Sequence, residues 1–247
     1  MDKAIILAAG RGSRMRPFTD KLPKCRTQFF GKELIEWQLE ALRANGFNKQ
    51  TTALIRGYLK DTFDFDLTYF ENPIWDQSNM VRTLAYAFDW AKDSNTVISY
   101  ADIVYSSDDI KNLKENSKKE INILYDPNWK SLWSLRFENP LDDAETFVHD
   151  GNKLISIGEK TKNIDEIQGQ YMGLLYFTPK GWKIFQQHLN NNDFTKINKT
   201  DCTGLLKELI KNQVEIGVVP AKNKWFEFDS ENDLKIYLDK FKESDLF

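Results

Sequence analysis

Apolar runs and helical repeats alternate along the first half of the chain. Lys3 to Ala9 is an apolar run that predicts a buried strand. From Glu33 to Asn45, apolar residues recur every three or four positions, which predicts a helix. The other elements predicted here are strands at 51–56, 67–70 and 96–100 and a helix at 78–92, capped by Ser78 or Asn79. This alternation predicts an α/β fold with a parallel sheet and right-handed crossovers.

The pattern is less regular after about residue 115. The predicted strands are 120–125, 170–177 and 215–221, and residues 145–160 predict a hairpin that turns at Asp150–Gly151. Helices are predicted at 179–191, 203–211 and 230–242, the last with a capping box between Ser230 and Asp233. No linker rich in Pro, Gly or Ser separates the halves. We therefore expect 1–247 to form one domain, with lobes at about 1–115 and 116–247.

Composition and charge narrow the class of protein. The 247 residues carry a formal net charge of -3, which argues against a general nucleic-acid binder, because such proteins are usually basic. No apolar run is long enough for a membrane span, and the first is too short for a signal peptide. Cys25 and Cys202 match no zinc pattern, and His149 and His188 are expected at the surface. We expect a cytoplasmic protein that binds neither nucleic acid nor membranes.

The loop after the first strand combines glycines with basic residues. It reads "LAAGRGSRMRPFTDKLPK" from Leu7 to Lys24. Glycines let backbone N–H groups approach an anion closely, and arginine and lysine add donors and charge. The Walker sequence is absent, and the dinucleotide motif fits only in its first two glycines, because Met15 stands at the third. The composition predicts a phosphate-binding loop, with a solvated glycine-rich turn as the alternative.

The segments "LAAGRGSRMRP" and "LPK" resemble the signature of nucleotidyltransferases that activate sugar phosphates and phosphocholine-like alcohols. The resemblance implies a Rossmann-like (GT-A-like) fold: a mixed, mostly parallel central sheet flanked by helices, with a smaller α+β acceptor-binding lobe. It implies that Arg14 and Lys24 are catalytic, since in-line attack on the α-phosphorus depends on positioning and charge neutralisation. The residues expected to bind the nucleotide are Leu7, Ala8, Ala9, Gly10, Arg11, Gly12, Ser13, Gly57, Tyr58, Gln77, Ser78 and Asn79.

Two carboxylates match the positions at which the resemblance places Mg2+, the expected cofactor. Asp102 follows a buried strand in "VISYADIVY", and open α/β sheets bind ligands at the carboxyl ends of their strands. Asp229 precedes a helix in "WFEFDSENDL", and Glu227 is a weaker candidate that would point to the same side of a strand. The structural alternatives are a turn at Asp102 and helix capping near Asp229 and at 77–79.

The segment "DPNWKSLWSLRFENPLDDAET" combines aromatic and acidic side chains. Such a set suits a cationic amine, whereas an arginine within it suits a phosphate or carboxylate. The segment "GEKT" at 158–161 is similar to an E-K-P segment whose lysine reaches the acceptor phosphate, although Thr161 replaces the proline. Packing of the tryptophans under a loop is the alternative. The residues expected to bind the acceptor are Trp129, Trp133, Arg136, Glu145, Lys160 and Tyr171.

The short chain and the helix start "SNM" look most like the phosphocholine cytidylyltransferase branch of this family. This resemblance implies an enzyme that uses Mg2+, CTP and a small phosphorylated amine or amino acid. The segments "ISYADIVY", "LWSLRFENPLDDAET" and "QYMGLLYF" resemble the capsule-biosynthesis members of this branch, which act on L-glutamine phosphate. The resemblance also implies release of pyrophosphate and a role in capsule or surface-glycan synthesis, and a homodimer is compatible with it. The alternatives are a sugar-1-phosphate nucleotidyltransferase and a non-catalytic nucleotide-binding module.

Overall fold

Thirteen strands lie within residues 1–246, which the computed structural model describes. The central strands are buried on both faces, so their sequences are nearly continuous apolar runs, as in "KAIILA". The strands are β1 Lys3–Ala8, β2 Gln28–Phe29, β3 Lys32–Glu33, β4 Thr52–Arg56, β5 Thr68–Glu71, β6 Thr96–Tyr100, β7 Ile103–Val104, β8 Ile121–Asp126, β9 Phe147–Asp150, β10 Lys153–Ile157, β11 Gln170–Phe177, β12 Ile216–Pro220 and β13 Phe226–Glu227.

The central sheet has nine strands in the order β5-β4-β1-β6-β11-β8-β12-β10-β9. Strands β5, β4, β1 and β6 are mutually parallel, and β12 is parallel to β8. Only β11 and β10 run against the other seven, because each pairs with its neighbours in antiparallel fashion. The predicted mixed, mostly parallel sheet is therefore confirmed.

Helices cover both faces of this sheet. Side chains alternate between the faces, so that Ile6 of β1 belongs to one buried cluster and Ile5 to the other. Residues of α1, α4, α5 and α9 pack in the first cluster, and residues of α2, α3, α6, α7 and α8 in the second. The helices are α1 Leu34–Ala44, α2 Met80–Ala85, α3 Phe88–Ala91, α4 Ser107–Asn116, α5 Trp129–Arg136, α6 Pro179–Asn190, α7 Phe194–Lys199, α8 Cys202–Lys211 and α9 Glu231–Lys240.

Two small strand pairs lie outside the central sheet. The first is β2 with β3, and the second joins β7 to β13 with Ile103 opposite Glu227. The N–H of Phe228 also donates to the carbonyl of Asp102, at 3.0 Å. This pairing brings the segment before α9 beside the end of β6, although more than 120 residues separate them in the sequence.

The prediction of one helix at 78–92 is wrong. The chain forms α2 and α3, separated by Tyr86 and Ala87, whose N–H groups bond to carbonyls three residues earlier. This tighter spacing is that of a 3₁₀ turn, and it interrupts the α-helix. Asn79 caps α2 by accepting from the N–H of Met80, whereas Ser78 donates to the carbonyl of Ile74.

The prediction that His188 lies at the surface is also wrong. Only 5% of this residue is exposed, because it follows Trp182 and Phe185 along the buried stripe of α6. His149 is half-buried, with its Nε2 atom 3.2 Å from the hydroxyl of Tyr125. Both cysteines are buried free thiols. No helix within residues 1–246 combines the length and apolar character that a membrane crossing requires.

Candidate active site

The first cavity lies at the carboxyl edge of the parallel strands, beyond β1 and β6. Its volume is about 280 Å³. Parallel strands end at the same edge, so the loop after β1 and the residues after β6 meet there. The part of its lining that the sequence predicted consists of Leu7, Ala8, Ala9, Gly10, Gly12, Ser13, Arg14, Lys24, Ser78, Asn79 and Asp102.

The loop after β1 packs tightly against Lys24. Gly12 has φ +68°, and a Cβ atom there would stand 2.7 Å from the Cβ of Lys24. The Thr19 hydroxyl donates to the Gly12 carbonyl at 3.0 Å, and Met15 is buried in the core beneath. Glycine is needed at this position both for its backbone conformation and for the space. The loop therefore sets where the lysine side chain leaves the backbone.

Lys24 lies between two carboxylates. Its Nζ atom is 2.7 Å from Asp102 Oδ2 and 3.2 Å from Asp229 Oδ1, and Arg14 donates to the same Asp229 oxygen at 2.7 Å. Burial alone would lower the pKa of Lys24, but Asp102 and Asp229 outweigh it and raise the pKa. Burial would raise the pKa of Asp229, yet Lys24, Arg14 and Arg136 lower it. The four predicted catalytic and metal-binding residues thus form one network of opposite charges.

The acidic pair in this network fits Mg2+. Asp102 Oδ1 is buried and has no hydrogen-bond partner within residues 1–246, so it has a free acceptor position. Across that part of the chain, no group of three or more His, Cys, Asp or Glu residues is arranged to hold a metal. Mg2+ needs only one or two carboxylates when phosphates and waters complete its shell. Two carboxylates such as Asp102 and Asp229 would therefore be enough protein ligands for Mg2+ that also binds nucleotide phosphates.

Trp75 is a residue of the first cavity that the sequence analysis missed. It lines the wall beside Ser78 and Asn79, and its ring meets that of Tyr58 edge-on at 5.2 Å. A Cβ atom at Gly57 would stand 2.6 Å from the Cβ of Trp75, so the glycine allows the tryptophan to approach β4. Gly57, which follows the predicted strand at 51–56, was the available signal, since a glycine at a strand end often marks the close approach of another segment.

Four predicted nucleotide-binding residues lie outside the lining of the first cavity. Arg11 pairs with Asp20 at 3.1 Å and stacks over Tyr58, whose hydroxyl bonds to the Thr19 carbonyl. Arg11 and Tyr58 therefore contact the loop without lining the first cavity. The four are Arg11, Gly57, Tyr58 and Gln77.

A second cavity of about 300 Å³ adjoins the first. Arg14, Met80, Tyr100 and Asp102 line both cavities. The far side of the second cavity comes from β9 to β11 and the start of α8, so it belongs to the second half of the chain. Its remaining polar residues include Asp143, Glu145, Thr146, Gln170, Tyr171, Asp201, Thr203, Glu227 and Asp229.

Three of the predicted acceptor-binding residues line this second cavity, namely Trp133, Glu145 and Tyr171. The other three do not. Trp129 is buried and donates its indole N–H to the Ile167 carbonyl, and Lys160 is exposed and donates to the Asp143 carbonyl at 2.7 Å. The guanidinium of Arg136 has no exposed surface and pairs with three carboxylates.

Glu145 is an acid in the second cavity without a direct partner. Within residues 1–246, its carboxylate makes no hydrogen bond and no ion pair. Burial raises its pKa, while Lys160 acts in the opposite direction. Nearby, Asp143 accepts from the indole N–H of Trp133 at 3.0 Å. Burial and the neighbouring Asp229 also raise the pKa of Glu227, to about 7. Among the charged side chains that line this cavity, six are acidic and one, Arg14, is basic.

Comparisons with known proteins agree with this geometry. Residues 4–133 match the MobA-like NTP transferase domain. The chain is also 35% identical to the CTP:phosphoglutamine cytidylyltransferase of Campylobacter jejuni, over 96% of this chain and 99% of the relative. The chain belongs to the MobA-like NTP transferase family. The prediction of a nucleotidyltransferase enzyme is confirmed.

Solved structures show that this NTP transferase shares its fold with two CTP-dependent proteins. The inositol-1-phosphate CTP transferase of T. maritima has a TM-score of 0.75 at 18% identity, covering 98% of this chain and 97% of the other. The CTP:phosphocholine cytidylyltransferase of Streptococcus pneumoniae has a TM-score of 0.68 at 23% identity, with coverages of 95% and 96%. At these identities the likeness establishes the fold, and the predicted Rossmann-like nucleotidyltransferase fold is confirmed.

Proposed function

We propose that this NTP transferase is a cytidylyltransferase that moves CMP from CTP to a small phosphorylated amine or amino acid. The observation that carries the proposal is the pair of adjoining cavities, joined at Arg14 and Asp102, with Lys24 beside the junction. One cavity adjoins the glycine-rich loop and suits a nucleotide, and the other is acidic and suits a cationic acceptor. CTP is the nucleotide of the Campylobacter relative and of both structural neighbours described above, which supports the choice of base.

The reaction is one displacement at phosphorus. An oxygen of the acceptor phosphate forms a bond to the α-phosphorus, the bond from that phosphorus to the bridging α,β-oxygen breaks, and pyrophosphate leaves with the electron pair. No covalent intermediate with the protein is required, so the protein contributes position and charge. Lys24 and Arg14 supply that charge after they exchange Asp102 and Asp229 for phosphate oxygens. Mg2+ bound at the two aspartates would add charge neutralisation on the phosphates.

Acidic residues in the second cavity favour an amine over a sugar as the acceptor. Glu145 offers a carboxylate without a partner, and Asp143 is held in place by Trp133. A buried carboxylate is costly unless a cation pairs with it, so an ammonium group would relieve that cost. The role in capsule or surface-glycan synthesis, the cytoplasmic location and the homodimer stay predictions from the sequence.

The experiment is a pyrophosphate-release assay with Mg2+, four NTPs and a set of acceptors. The acceptors are phosphocholine, phosphoethanolamine, 2-aminoethylphosphonate, L-glutamine phosphate and several sugar 1-phosphates. We expect turnover with CTP and an amine-bearing phosphate only. The control is Lys24→Met, for which we expect kcat to fall about 10²- to 10³-fold, because one charge-stabilising donor is lost.

Other outcomes of the assay have definite meanings. Turnover with a sugar 1-phosphate would replace the proposed acceptor with a sugar. Nucleotide binding without turnover on any acceptor would contradict the proposed activity and favour a non-catalytic module. Normal turnover by Lys24→Met would remove this lysine from the reaction.

A further inference from the structure

Arg136 is a buried arginine that neither cavity includes in its lining. It is the last residue of α5, and its side chain has no exposed surface. Its guanidinium pairs with Glu227 at 2.8 Å, Asp233 at 2.9 Å and Asp229 at 3.2 Å. An arginine placed to receive an acceptor phosphate would need free donors facing the cavity. This one has committed its donors to three carboxylates.

One of these carboxylates fixes the backbone that carries Asp229. Asp233 uses Oδ1 for Arg136, and its Oδ2 accepts from the N–H groups of Asp229 and Ser230 at 2.9 and 2.7 Å. The Ser230 side chain completes a capping box at the start of α9. Arg136 therefore restrains the position of Asp229 through the backbone as well as through its carboxylate.

The two oxygens of Asp229 face different cations. Oδ2 lies toward Arg136, whereas Oδ1 accepts from Lys24 and Arg14 at the edge of the cavities. Lys24 and Arg14 must release this oxygen when they bind phosphate, but Arg136 is enclosed and has no phosphate to reach. The rings of Trp133 and Phe137, each 5.1 Å from the guanidinium carbon, hold it in place.

We propose that Arg136 is a positioning residue that keeps Asp229 Oδ1 directed at the phosphate and metal site during turnover. The inference rests on the proposed function, in which Asp229 meets the metal–nucleotide complex. Without Arg136, the carboxylates of Glu227, Asp229 and Asp233 would face one another with no buried cation between them. Their repulsion would displace Asp229. Groups that orient a metal ligand in this way affect metal affinity although they do not touch the metal itself.

The test measures binding of Mn2+ in the presence of CTP, by electron paramagnetic resonance, for Arg136→Lys, Asp229→Asn and the double variant. We expect Arg136→Lys to weaken Mn2+ binding about tenfold or more, because a lysine keeps the charge but its single ammonium group cannot bond to Glu227, Asp229 and Asp233 in the geometry of the guanidinium. The double variant is expected to bind Mn2+ no more weakly than Asp229→Asn alone, because Arg136 acts through Asp229.

Trp129→Phe is the matched control for a purely structural effect. Trp129 lies in the same helix, is buried, and lines neither cavity. We expect it to lower the melting temperature while Mn2+ affinity stays within about twofold of the unchanged protein, since the substitution leaves the ligands in place. Wild-type Mn2+ affinity in a destabilised Arg136→Lys protein would overturn the proposal, as would additive losses in the double variant.

This test also separates the inference from the proposed function, because Mn2+ binding requires no turnover. If no acceptor is turned over but the binding results stand, the activity is wrong and the role of Arg136 holds. If Asp229→Asn binds Mn2+ as tightly as the unchanged protein, the role of Arg136 is wrong whatever the turnover assay shows.

Discussion

At the scale of single residues, Glu145 is the acid whose surroundings most clearly call for a cation. It is half-buried on the wall of the second cavity, and none of its neighbours within residues 1–246 forms an ion pair with it. Lys160 and Lys207 are near enough to influence its pKa, but they bond to the Asp143 carbonyl and to Glu159. The charge of Glu145 is therefore available to a ligand.

Glu145→Gln is expected to raise the KM for the acceptor about 10- to 100-fold, since a hydrogen bond to a charged group contributes roughly 1.5 to 3 kcal/mol. The KM for CTP is expected to stay unchanged. In the wild-type protein, the acceptor KM should rise as the pH falls, because protonation of Glu145 removes the negative charge with which an ammonium group would pair. Steady-state kinetics with each substrate varied in turn measures all three quantities.

Glu138→Gln is the control for the Glu145 substitution. It removes the same charge nearby in the sequence, but Glu138 is exposed and lies outside both cavities. Its acceptor KM should match that of the unchanged protein. An equal rise in both variants would show that only the general charge of this region matters, and would remove Glu145 from the acceptor site.

The sequence could predict residues of the first cavity better than those of the second. Lys24 and Asp102 stand in motifs next to a predicted strand, so their neighbours along the chain reveal them. The burial of Arg136 depends on acids more than 90 residues later in the chain, which no local pattern contains. The aromatic and acidic composition around Trp133 indicated a cationic ligand without showing which side chains would reach the cavity.

At the scale of elements, the loop after β1 couples backbone conformation to the position of Lys24. Gly12 adopts φ +68° with the Lys24 side chain directly against it. Gly151, at the turn between β9 and β10, has a similar positive φ of +55°, but a Cβ atom there would meet nothing within 4 Å. The two glycines therefore share a backbone conformation, but only at Gly12 do other atoms occupy the space of a Cβ atom.

Gly12→Ala is therefore expected to reduce kcat at least about tenfold and to lower stability by about 1 to 3 kcal/mol, because the new methyl group displaces Lys24. Gly151→Ala carries the cost of positive φ without the collision, and we expect unchanged activity with a loss of about 1 kcal/mol. Urea unfolding and turnover assays compare the two. Equal activity in both variants would mean that the loop tolerates displacement of Lys24.

Helix α5 shows why some elements were missed. Its buried residues, Trp129, Leu132, Trp133 and Arg136, are spaced three, one and three apart, which is a helical stripe. An arginine in that stripe made the pattern look like a ligand-binding segment. The sequence did predict β11 with its full extent, 170–177, because six of its eight residues are apolar or aromatic and leave little ambiguity.

At the scale of the whole molecule, long-range pairing decides the order of the strands. Strand β11 lies between β6 and β8 and runs against both, so strands from the two halves of the chain share one sheet. The local pattern predicted each of these strands but not their neighbours. The same long-range pairing of β7 with β13 brings Glu227 and Asp229 to Asp102, which concentrates negative charge in one region.

This concentration of charge gives the stability of the unliganded protein a pH dependence. Burial and Asp229 raise the pKa of Glu227 to about 7, from an ordinary value of 4.5. A raised pKa means that the folded state keeps its proton up to a higher pH than the unfolded state does. The free energy of unfolding therefore decreases as the pH rises from 4.5 through 7. Glu227→Gln keeps the neutral form at every pH.

We expect the melting temperature of Glu227→Gln, minus that of the unchanged protein, to increase between pH 5 and pH 7.5. Calorimetry of both proteins without nucleotide or metal measures this difference. The effects of other titrating groups, which both proteins share, cancel in it. A constant or decreasing difference would show that the pairing with Arg136 keeps Glu227 ionised throughout this range.

The wall shared by the two cavities has a consequence for how the enzyme would be inhibited. Arg14, Met80, Tyr100 and Asp102 contact both sides, so one molecule that carries a nucleoside and an amine can occupy both cavities at once. Linking two ligands makes the second association intramolecular, with effective concentrations in the millimolar range for short linkers. The product of the proposed reaction is such a molecule. Release of this product, rather than formation of the new bond, is then expected to limit turnover. A stable analogue of the product should compete with both substrates.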